Sequence, residues 1–314
     1  MTAPTARNPV HARPVAGGAL RRAASVATLA GILFIGGAAH PVTVSAQPAP
    51  IRVMSFNIRY GTANDGAHAW SARRAAVIGT IRDHAPHLLG LQEALRFQLD
   101  EIGAALAGHR EIGVGRDDGR TAGEYAAILG DTGRFTVIAH GTFWLSDTPD
   151  VPGSMHWGNR ITRITTWARL VDRALGDTVR VYNAHWDHES QASRERSAAL
   201  MLRRMASDGA PSDRILVMGD FNAGESNPAF RALLSDARVP LVDVHRWFGP
   251  DEEWGGTFHG FAGGTSGEKI DAILMRRGDW VLAGDAGVDR RRWGALWASD
   301  HYAVWALLSP VVRD

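Results

Sequence analysis

Carboxylate, amide and imidazole side chains lie where several apolar runs of this sequence begin or end. Those at the ends of apolar runs are Asn57, Glu93, His185 and Asp220, and those at or near the starts are Glu124, Asp271, Asp300 and His301. If each run forms a strand and neighbouring strands are antiparallel, the ends of one set and the starts of the other meet at one edge. The sequence therefore predicts a site where these polar groups converge.

The oxygen donors in this set favour a hard cation. The carboxylates of Glu93, Asp220, Asp271 and Asp300 and the amide oxygens of Asn57 and Asn222 suit Mg²⁺, Mn²⁺ or Ca²⁺. Because Mg²⁺ binds through one or two carboxylates and leaves positions for phosphate oxygens, the remaining acids are expected to have other tasks.

Two of those tasks concern imidazoles and water. Position along the chain pairs His185 with Glu124 and His301 with Asp271. A carboxylate partner fixes the tautomer and favours the imidazolium form, which suits the charge that develops on phosphate during hydrolysis. Asp220 would orient or deprotonate an attacking water.

No single part of this pattern is specific. The dipeptide Asp-His occurs at residues 83–84, 187–188 and 300–301, and a polar residue at a strand end often has only a packing role. A two-metal phosphoesterase of the calcineurin type would need Asp-x-His at the end of its first strand, where this chain has Ser55-Phe56-Asn57. The prediction depends on the ordered combination.

Short apolar runs alternate with longer amphipathic ones from residue 51 onward, as is typical of α/β proteins. IRVMSFNI and RILVMGDF predict strands, whereas SARRAAVIGTIRDH and SQASRERSAALMLRRMAS predict helices, the second with Ser190 as N-cap. NPAFRALLS predicts a helix with Pro228 in its first turn. No linker rich in proline or serine divides the region, so residues 47–314 are expected to form one domain.

The first 46 residues have the three parts of a secretory signal peptide. Four arginines precede the uncharged run AASVATLAGILFIGGAA, and Val44-Ser45-Ala46 fits the small-residue rule for signal peptidase. The alternative is a membrane anchor, but the apolar run is short for a span. We expect cleavage near Ala46 and export to the periplasm or the extracellular space, with no stable membrane span afterwards.

The net charge and the absence of cysteine argue against some classes of function. The net charge is +1, and removal of the signal peptide with its four arginines and no acid changes it to −3. Proteins that bind nucleic-acid phosphates usually carry a basic surplus, so this balance disfavours a dedicated nuclease. The chain has no cysteine, which excludes disulfides, thiolate metal ligands and a cysteine nucleophile.

Seven motifs follow one another in a fixed order. They are FNIRY with Asn57, GLQEAL with Glu93, EYAAIL with Glu124, NAHWDHES with His185, GDFNAGE with Asp220 and Asn222, KIDAIL with Asp271, and SDHYAV with Asp300 and His301. This set resembles the endonuclease/exonuclease/phosphatase superfamily, and the resemblance covers residues 51–308. The superfamily includes deoxyribonuclease I and inositol-phosphate phosphatases. The resemblance implies a four-layer α/β/β/α sandwich of two mixed, mainly antiparallel sheets. It also implies Mg²⁺-dependent cleavage of a phosphoester by water, with Mn²⁺ as a substitute ion.

The resemblance assigns a role to each matching residue. It implies that Glu93, Asn57 and Asp300 bind the metal and that Asp220 and Asn222 position the attacking water. It also implies that His185 and His301 contact the phosphate, with Glu124 and Asp271 as their carboxylate partners. Arg163 of RITTWARL would bind the phosphate. Arg59 departs from members that have an acid two residues after the first asparagine, which weakens the case for a second metal there.

Two segments are similar to a bacterial branch that includes a sugar-phosphate phosphatase: WGNRITRITTWARL, and TFHGF before a glycine-rich stretch. Trp254 and Phe258 are on the loop that precedes Asp271, where they would stack on a sugar or a base. The alternative is that they pack the loop itself. For His188 a surface or packing role is favoured over a role behind His185.

Three functions fit these observations. The leading one is an exported Mg²⁺-dependent phosphatase or phosphodiesterase that acts on a small phosphorylated organic molecule. A secreted nuclease that cleaves DNA or RNA would share the catalytic centre but would need a cationic groove. A catalytically silent binding module would be expected to lack the metal-ligating Glu, the Asp-x-Asn pair or the last Asp-His, and this chain has them all. The sequence specifies neither the phosphoester nor the oligomeric state.

Overall fold

The computed structural model describes residues 49–250 and 254–313. The predicted signal peptide, residues 1–46, lies outside these ranges, so its cleavage stays a prediction. Among the described residues, no helix combines the length and the apolar character needed to cross a membrane.

The described residues form two sheets of six strands each. The order in the first sheet is β11 (Trp280–Asp289), β12 (Ala303–Pro310), β1 (Ile51–Asn57), β2 (Leu88–Ala94), β4 (Tyr125–Asp131) and β3 (His109–Ile112). The order in the second is β5 (Phe135–Trp144), β6 (Ile164–Asp172), β7 (Thr178–His185), β8 (Arg214–Asp220), β10 (Asp271–Arg276) and β9 (Leu241–Asp243). The pairs β1–β2 and β7–β8 are parallel and the other neighbouring pairs of these strands are antiparallel. Both sheets are therefore mixed and mainly antiparallel, as predicted.

Helical crossovers account for the two parallel pairs, because a parallel connection needs a long segment between its strands. Helix α1 (Trp70–His84) joins β1 to β2, and α3 (Gln191–Ser207) joins β7 to β8. Three further α-helices are α2 (Arg96–Ala105), α4 (Pro228–Ser235) and α5 (Val244–Phe248). As predicted, the Ser190 hydroxyl caps α3 by accepting a hydrogen bond from the Ser193 amide at 3.2 Å, and Pro228 begins α4.

Apolar side chains fill three interfaces between four layers. Val53 of the first sheet and Val181 of the second belong to the core between the sheets. Helices α1 and α2 pack on the outer face of the first sheet, and α3 and α4 on that of the second. Because side chains alternate along a strand, each central strand supplies both an inner and an outer interface. The fold is the expected α/β/β/α sandwich.

A buried hydrogen-bond network joins the two sheets through Asn183 of β7. Its Nδ2 donates to the carbonyl oxygens of Leu91 and Ala127 at 2.9 and 2.7 Å, and its Oδ1 accepts from Gln92 Nε2 at 2.6 Å. Gly90 makes room for this side chain, since a Cβ at that position would lie 3.0 Å from Asn183 Oδ1. The network holds β2 against β7 close to the edge where both strands end.

We expect Asn183→Ala to lower the free energy of unfolding by about 3 kcal/mol, because three buried polar groups would lose their partner. Urea denaturation measures the change. The control is Asn64→Ala, which alters an exposed loop residue and should change stability by less than about 0.5 kcal/mol. Equal stabilities of the two variants would show that the network does not hold the sheets together.

Candidate active site

Central strands of both sheets meet around one cavity of about 550 Å³. The predicted residues that line it are Glu93, Glu124, Arg163, His185, Asp220, Asn222, Phe258, Asp300 and His301. Strand register explains part of this convergence. Asp220, at the end of β8, is paired with Asp271 at the start of antiparallel β10 and with His185 at the end of parallel β7. Asn57 and Asp271 are fully buried, and each is hydrogen-bonded to a residue of the cavity wall.

Asp220 is the most connected carboxylate of the site. Its Oδ2 accepts a hydrogen bond from Asn57 Nδ2 at 2.9 Å, and its Oδ1 accepts one from the backbone amide of Asn222 at 2.9 Å. Burial, reinforced by the charge of Asp271, raises the pKa of Asp220 to about 7 even though His301 and these hydrogen bonds act in the opposite direction. A carboxylate with such a pKa is suited to accept a proton from water at neutral pH.

His301 is held as an imidazolium. Its Nδ1 lies 2.9 Å from Asp271 Oδ2, and its Nε2 lies 3.8 Å from Asp220 Oδ2. Burial by itself lowers the pKa of His301, but the charges of Asp271 and Asp220 outweigh it and raise the pKa well above its usual value. The predicted pairing of His301 with Asp271 is therefore present, and Nδ1 donates to the carboxylate.

His185 differs from the expectation. Its Nδ1 is 3.9 Å from Glu124 Oε2, beyond hydrogen-bond distance, because the Glu124 carboxylate accepts two hydrogen bonds from Arg116 at 2.5 and 2.7 Å. Arg163 Nη1 lies 2.8 Å from His185 Nε2 and can only donate, so Nε2 carries no proton. Burial and the nearby guanidinium groups lower the pKa of His185 well below its usual value. The expectation of an imidazolium at His185 was wrong, since burial and two arginines outweigh the one carboxylate at 3.9 Å.

The opposite side of the cavity is acidic. Glu93 Oε1 accepts from Asn57 Nδ2 at 3.0 Å, and Glu93 Oε2 accepts from the Tyr60 amide at 3.1 Å. Burial raises the pKa of Asp300, and the negative charge of Glu93 adds to this effect. Two carboxylates that share one region repel each other, and Arg59 Nε, 3.7 Å from Asp300 Oδ2, offsets only part of their charge.

This donor set fits the divalent cation on which the family generally depends. Glu93, Asp300 and Asn57 offer hard oxygen atoms, which suit Mg²⁺ or Mn²⁺. A second group, Asp220, Asp271 and His301, has potential ligand atoms that lie within 4.8 Å of one another. In that group His301 Nδ1 is hydrogen-bonded to Asp271 and the cationic His301 ring lies between two aspartates, so we interpret the group as a charge cluster and not as a metal site.

Arg163 links two histidines of the cavity wall, His185 and His188. It is almost completely buried, and its Nη2 donates to His188 Nδ1 at 2.7 Å while Nη1 donates to His185. Its Nε is buried without a hydrogen-bond partner and lies 3.6 Å from the Asp187 carboxylate. His188 is exposed, which agrees with the surface role favoured from sequence, and the surface that it occupies is the wall of the cavity.

The two aromatic candidates have different surroundings. Phe258 lines the cavity with 51% of its surface exposed, and its ring centroid is 5.0 Å from that of His301. Trp254 instead packs on His245 at 4.8 Å and donates from Nε1 to the Gly249 carbonyl at 3.2 Å. The expectation that Trp254 contacts substrate is not met, because its loop turns the indole towards α5.

A sequence model of the endonuclease/exonuclease/phosphatase family matches residues 54–301. The chain belongs to this family. Its members are phosphoric ester hydrolases, and the motifs that identify it supply most of the cavity wall.

Solved structures of the family are similar throughout the domain. An endonuclease/exonuclease/phosphatase from Bacteroides vulgatus is 32% identical, with a TM-score of 0.75 over 83% of this chain and 99% of its own. A mannosyl-6-phosphatase from Bacteroides thetaiotaomicron is 29% identical, with a TM-score of 0.72 over 83% and 100% of the two chains.

An uncharacterized protein of Acanthamoeba polyphaga mimivirus is 27% identical over 158 residues, which are 45% of this chain but only 23% of the viral protein.

Arg73 of α1 is a residue of this family member that sequence reasoning missed. It is fully buried, and its guanidinium donates to the carbonyl oxygens of Ile58, Arg59 and Ala298. Burial lowers its pKa to about 10. Arg73 therefore ties the segment after β1 to the one before Asp300. Its sequence signal is weak, since the neighbouring Arg74 is exposed and the pair looks like part of a solvent-facing helix surface.

We expect Phe258→Ala to change relative kcat/KM by roughly 5- to 20-fold across a panel of alkyl, aryl and sugar phosphates, because the exposed ring faces the substrate side of the cavity. The matched control is Trp254→Ala, which removes an aromatic ring from the same loop but outside the cavity. Steady-state kinetics on the panel measures both. A similar change of preference in the two variants would mean that Phe258 acts through loop packing.

Proposed function

We propose that this protein is an exported, divalent-metal-dependent phosphoester hydrolase that acts on a small phosphorylated organic molecule. One observation carries the proposal. Buried Asp220, with a pKa of about 7, is held between Asn57 and Asn222 and faces the cationic His301 in a cavity of about 550 Å³. A proton acceptor and a fixed positive charge are thus placed where water and a phosphate can meet.

The residues of the chain divide the work of hydrolysis. Asp220 accepts the proton of the attacking water, and Asn222, whose backbone is fixed against Asp220, holds that water in line. The His301 imidazolium, kept charged by Asp271, stabilises negative charge on the phosphoryl oxygens. On the other side, Arg163 binds the phosphate while neutral His185 accepts its hydrogen bond and fixes its direction.

Glu93, Asp300 and Asn57 are the residues that would hold Mg²⁺, with Mn²⁺ as a substitute. When bound, such an ion polarises the phosphoryl group and offsets the charge of the two carboxylates. Asn57 connects this end of the cavity to the base, because its amide donates to both Glu93 and Asp220.

Two observations favour a small substrate. Phe258 exposes an aromatic face beside His301, which suits stacking on a sugar ring, and a similar structure is that of a mannosyl-6-phosphatase. The charge of −3 without residues 1–46 argues against a nuclease, which remains the second candidate. Export depends on the proposed signal peptide, and N-terminal sequencing of the secreted protein would test cleavage near Ala46.

We expect residues 47–314 to hydrolyse an aryl phosphate monoester in Mg²⁺ and to lose this activity in a chelator. Asp220→Asn should reduce kcat by about 10³-fold, because the neutral amide cannot accept the proton of water. The matching aryl phosphodiester is assayed in parallel. Cleavage of the diester alone would support the nuclease, and an Asp220→Asn variant with normal turnover would remove Asp220 from the mechanism.

Glu93→Gln is expected to raise the Mg²⁺ concentration needed for half-maximal activity by at least about tenfold, since one charged ligand is lost. Titration of activity with Mg²⁺ measures this change. Glu101→Gln is the control, because Glu101 pairs with Arg74 on the helical surface. If both variants keep the same metal requirement, the ion binds elsewhere.

A further inference from the structure

Arg59 has an unusual and firmly held backbone conformation. It follows Asn57 by two residues and has a φ of 57°, a left-handed value that is costly for a side chain of this size. Its amide donates to Asn57 Oδ1 at 3.0 Å, while its carbonyl accepts from Arg73 Nη2 at 2.8 Å and from Gln98 Nε2 at 3.1 Å. Three buried or partly buried contacts therefore fix the direction in which the Arg59 side chain leaves the backbone.

The guanidinium of Arg59 lines the acidic end of the cavity. Its Nε and Nη2 donate to the two carboxylate oxygens of Asp65 at 3.1 and 3.0 Å. Its Nε also lies 3.7 Å from Asp300 Oδ2. Asp65 thus orients the group, and Asp300 and Glu93 are the acids that face it from the cavity.

This guanidinium stays charged under all working conditions. An arginine guanidinium is protonated throughout the working pH range, and here it lies 3.0 Å from Asp65 and 3.7 Å from Asp300. The acidic end consequently holds a permanent cation as well as two carboxylates. Any divalent ion that binds those carboxylates must do so next to a positive charge.

We propose that Arg59 is a charge-balancing residue of the active site, which weakens binding of the divalent ion and restricts the acidic end of the cavity to one ion. This inference rests on the proposed role of Glu93 and Asp300 as metal ligands. In this proposal the Arg59 guanidinium supplies a positive charge beside the phosphate, in addition to the charge of the bound ion. Asp65, which lies outside the cavity wall, then acts as a positioning residue for Arg59.

Mn²⁺ binding, followed by the electron paramagnetic resonance of the free ion, tests the proposal without an activity assay. The wild type is expected to bind one equivalent of Mn²⁺, and Arg59→Gln is expected to bind it at least about tenfold more tightly because a repulsive charge is removed. Arg59→Lys, which keeps the charge, should retain an affinity within about threefold of the wild type. Arg74→Gln removes a surface arginine outside the cavity and should leave binding unchanged.

Two equivalents of Mn²⁺ in the wild type, or unchanged affinity in Arg59→Gln, would overturn the role of Arg59. Circular dichroism on each variant confirms that the affinities refer to folded protein, and Arg59→Lys retains a long side chain at the site. Glu93→Gln separates this result from a failure of the proposed function. If Glu93→Gln binds Mn²⁺ as the wild type does, the metal site is wrong. If Glu93→Gln binds Mn²⁺ weakly while Arg59→Gln has the affinity of the wild type, only the role of Arg59 is wrong.

Discussion

The hydrogen bonds of the Asn57 amide are the constraint on which the site depends. Asn57 ends a strand of the first sheet, and its Nδ2 donates at 2.9 Å to Asp220 at the end of a strand of the second sheet. The same amide donates to Glu93 at 3.0 Å. The proposed metal end and the proton acceptor therefore keep their separation only while the two sheets keep their packing. The Asn183 network, which joins the sheets within the core, maintains that packing.

Electrostatics divides the cavity into regions of different character. The pKa of His301 is raised because two aspartates face it, whereas the pKa of His185 is lowered by burial and by Arg163 and Arg116. In the proposed function the two histidines therefore have opposite tasks at the phosphate. One contributes positive charge and the other accepts a hydrogen bond from an arginine. Burial makes both effects larger than they would be in water.

Three residues of the cavity wall have strained backbone conformations. Arg59, Glu93 and Asn222 have positive φ values of 57°, 60° and 47°, which L-residues seldom adopt. A bulge accompanies Glu93, since the pairing of β2 with β4 shifts between Leu91 and Ala94. Such conformations persist where surrounding contacts over-determine them. Here Arg73 and Gln98 donate hydrogen bonds to carbonyl oxygens of the segment after β1. These bonds stabilise the strained backbone of Arg59 and thereby fix the direction of its side chain.

The sequence by itself determined the reactive groups and the strand ends that carry them. An apolar strand that ends in Asp220 must deliver that carboxylate to the rim, because side-chain alternation and burial leave few other places for it. The pairing of His301 with Asp271 was also predicted, but tertiary structure alone decided which charges surround His185 and which loop residues reach the cavity. Glu124 is hydrogen-bonded to Arg116 and not to His185. The loop before Asp271 places Phe258 in the cavity wall and packs Trp254 against His245 instead. Partner choice depends on distances of a few ångströms set by the packing of two sheets and their loops, and no local pattern in the chain encodes those distances.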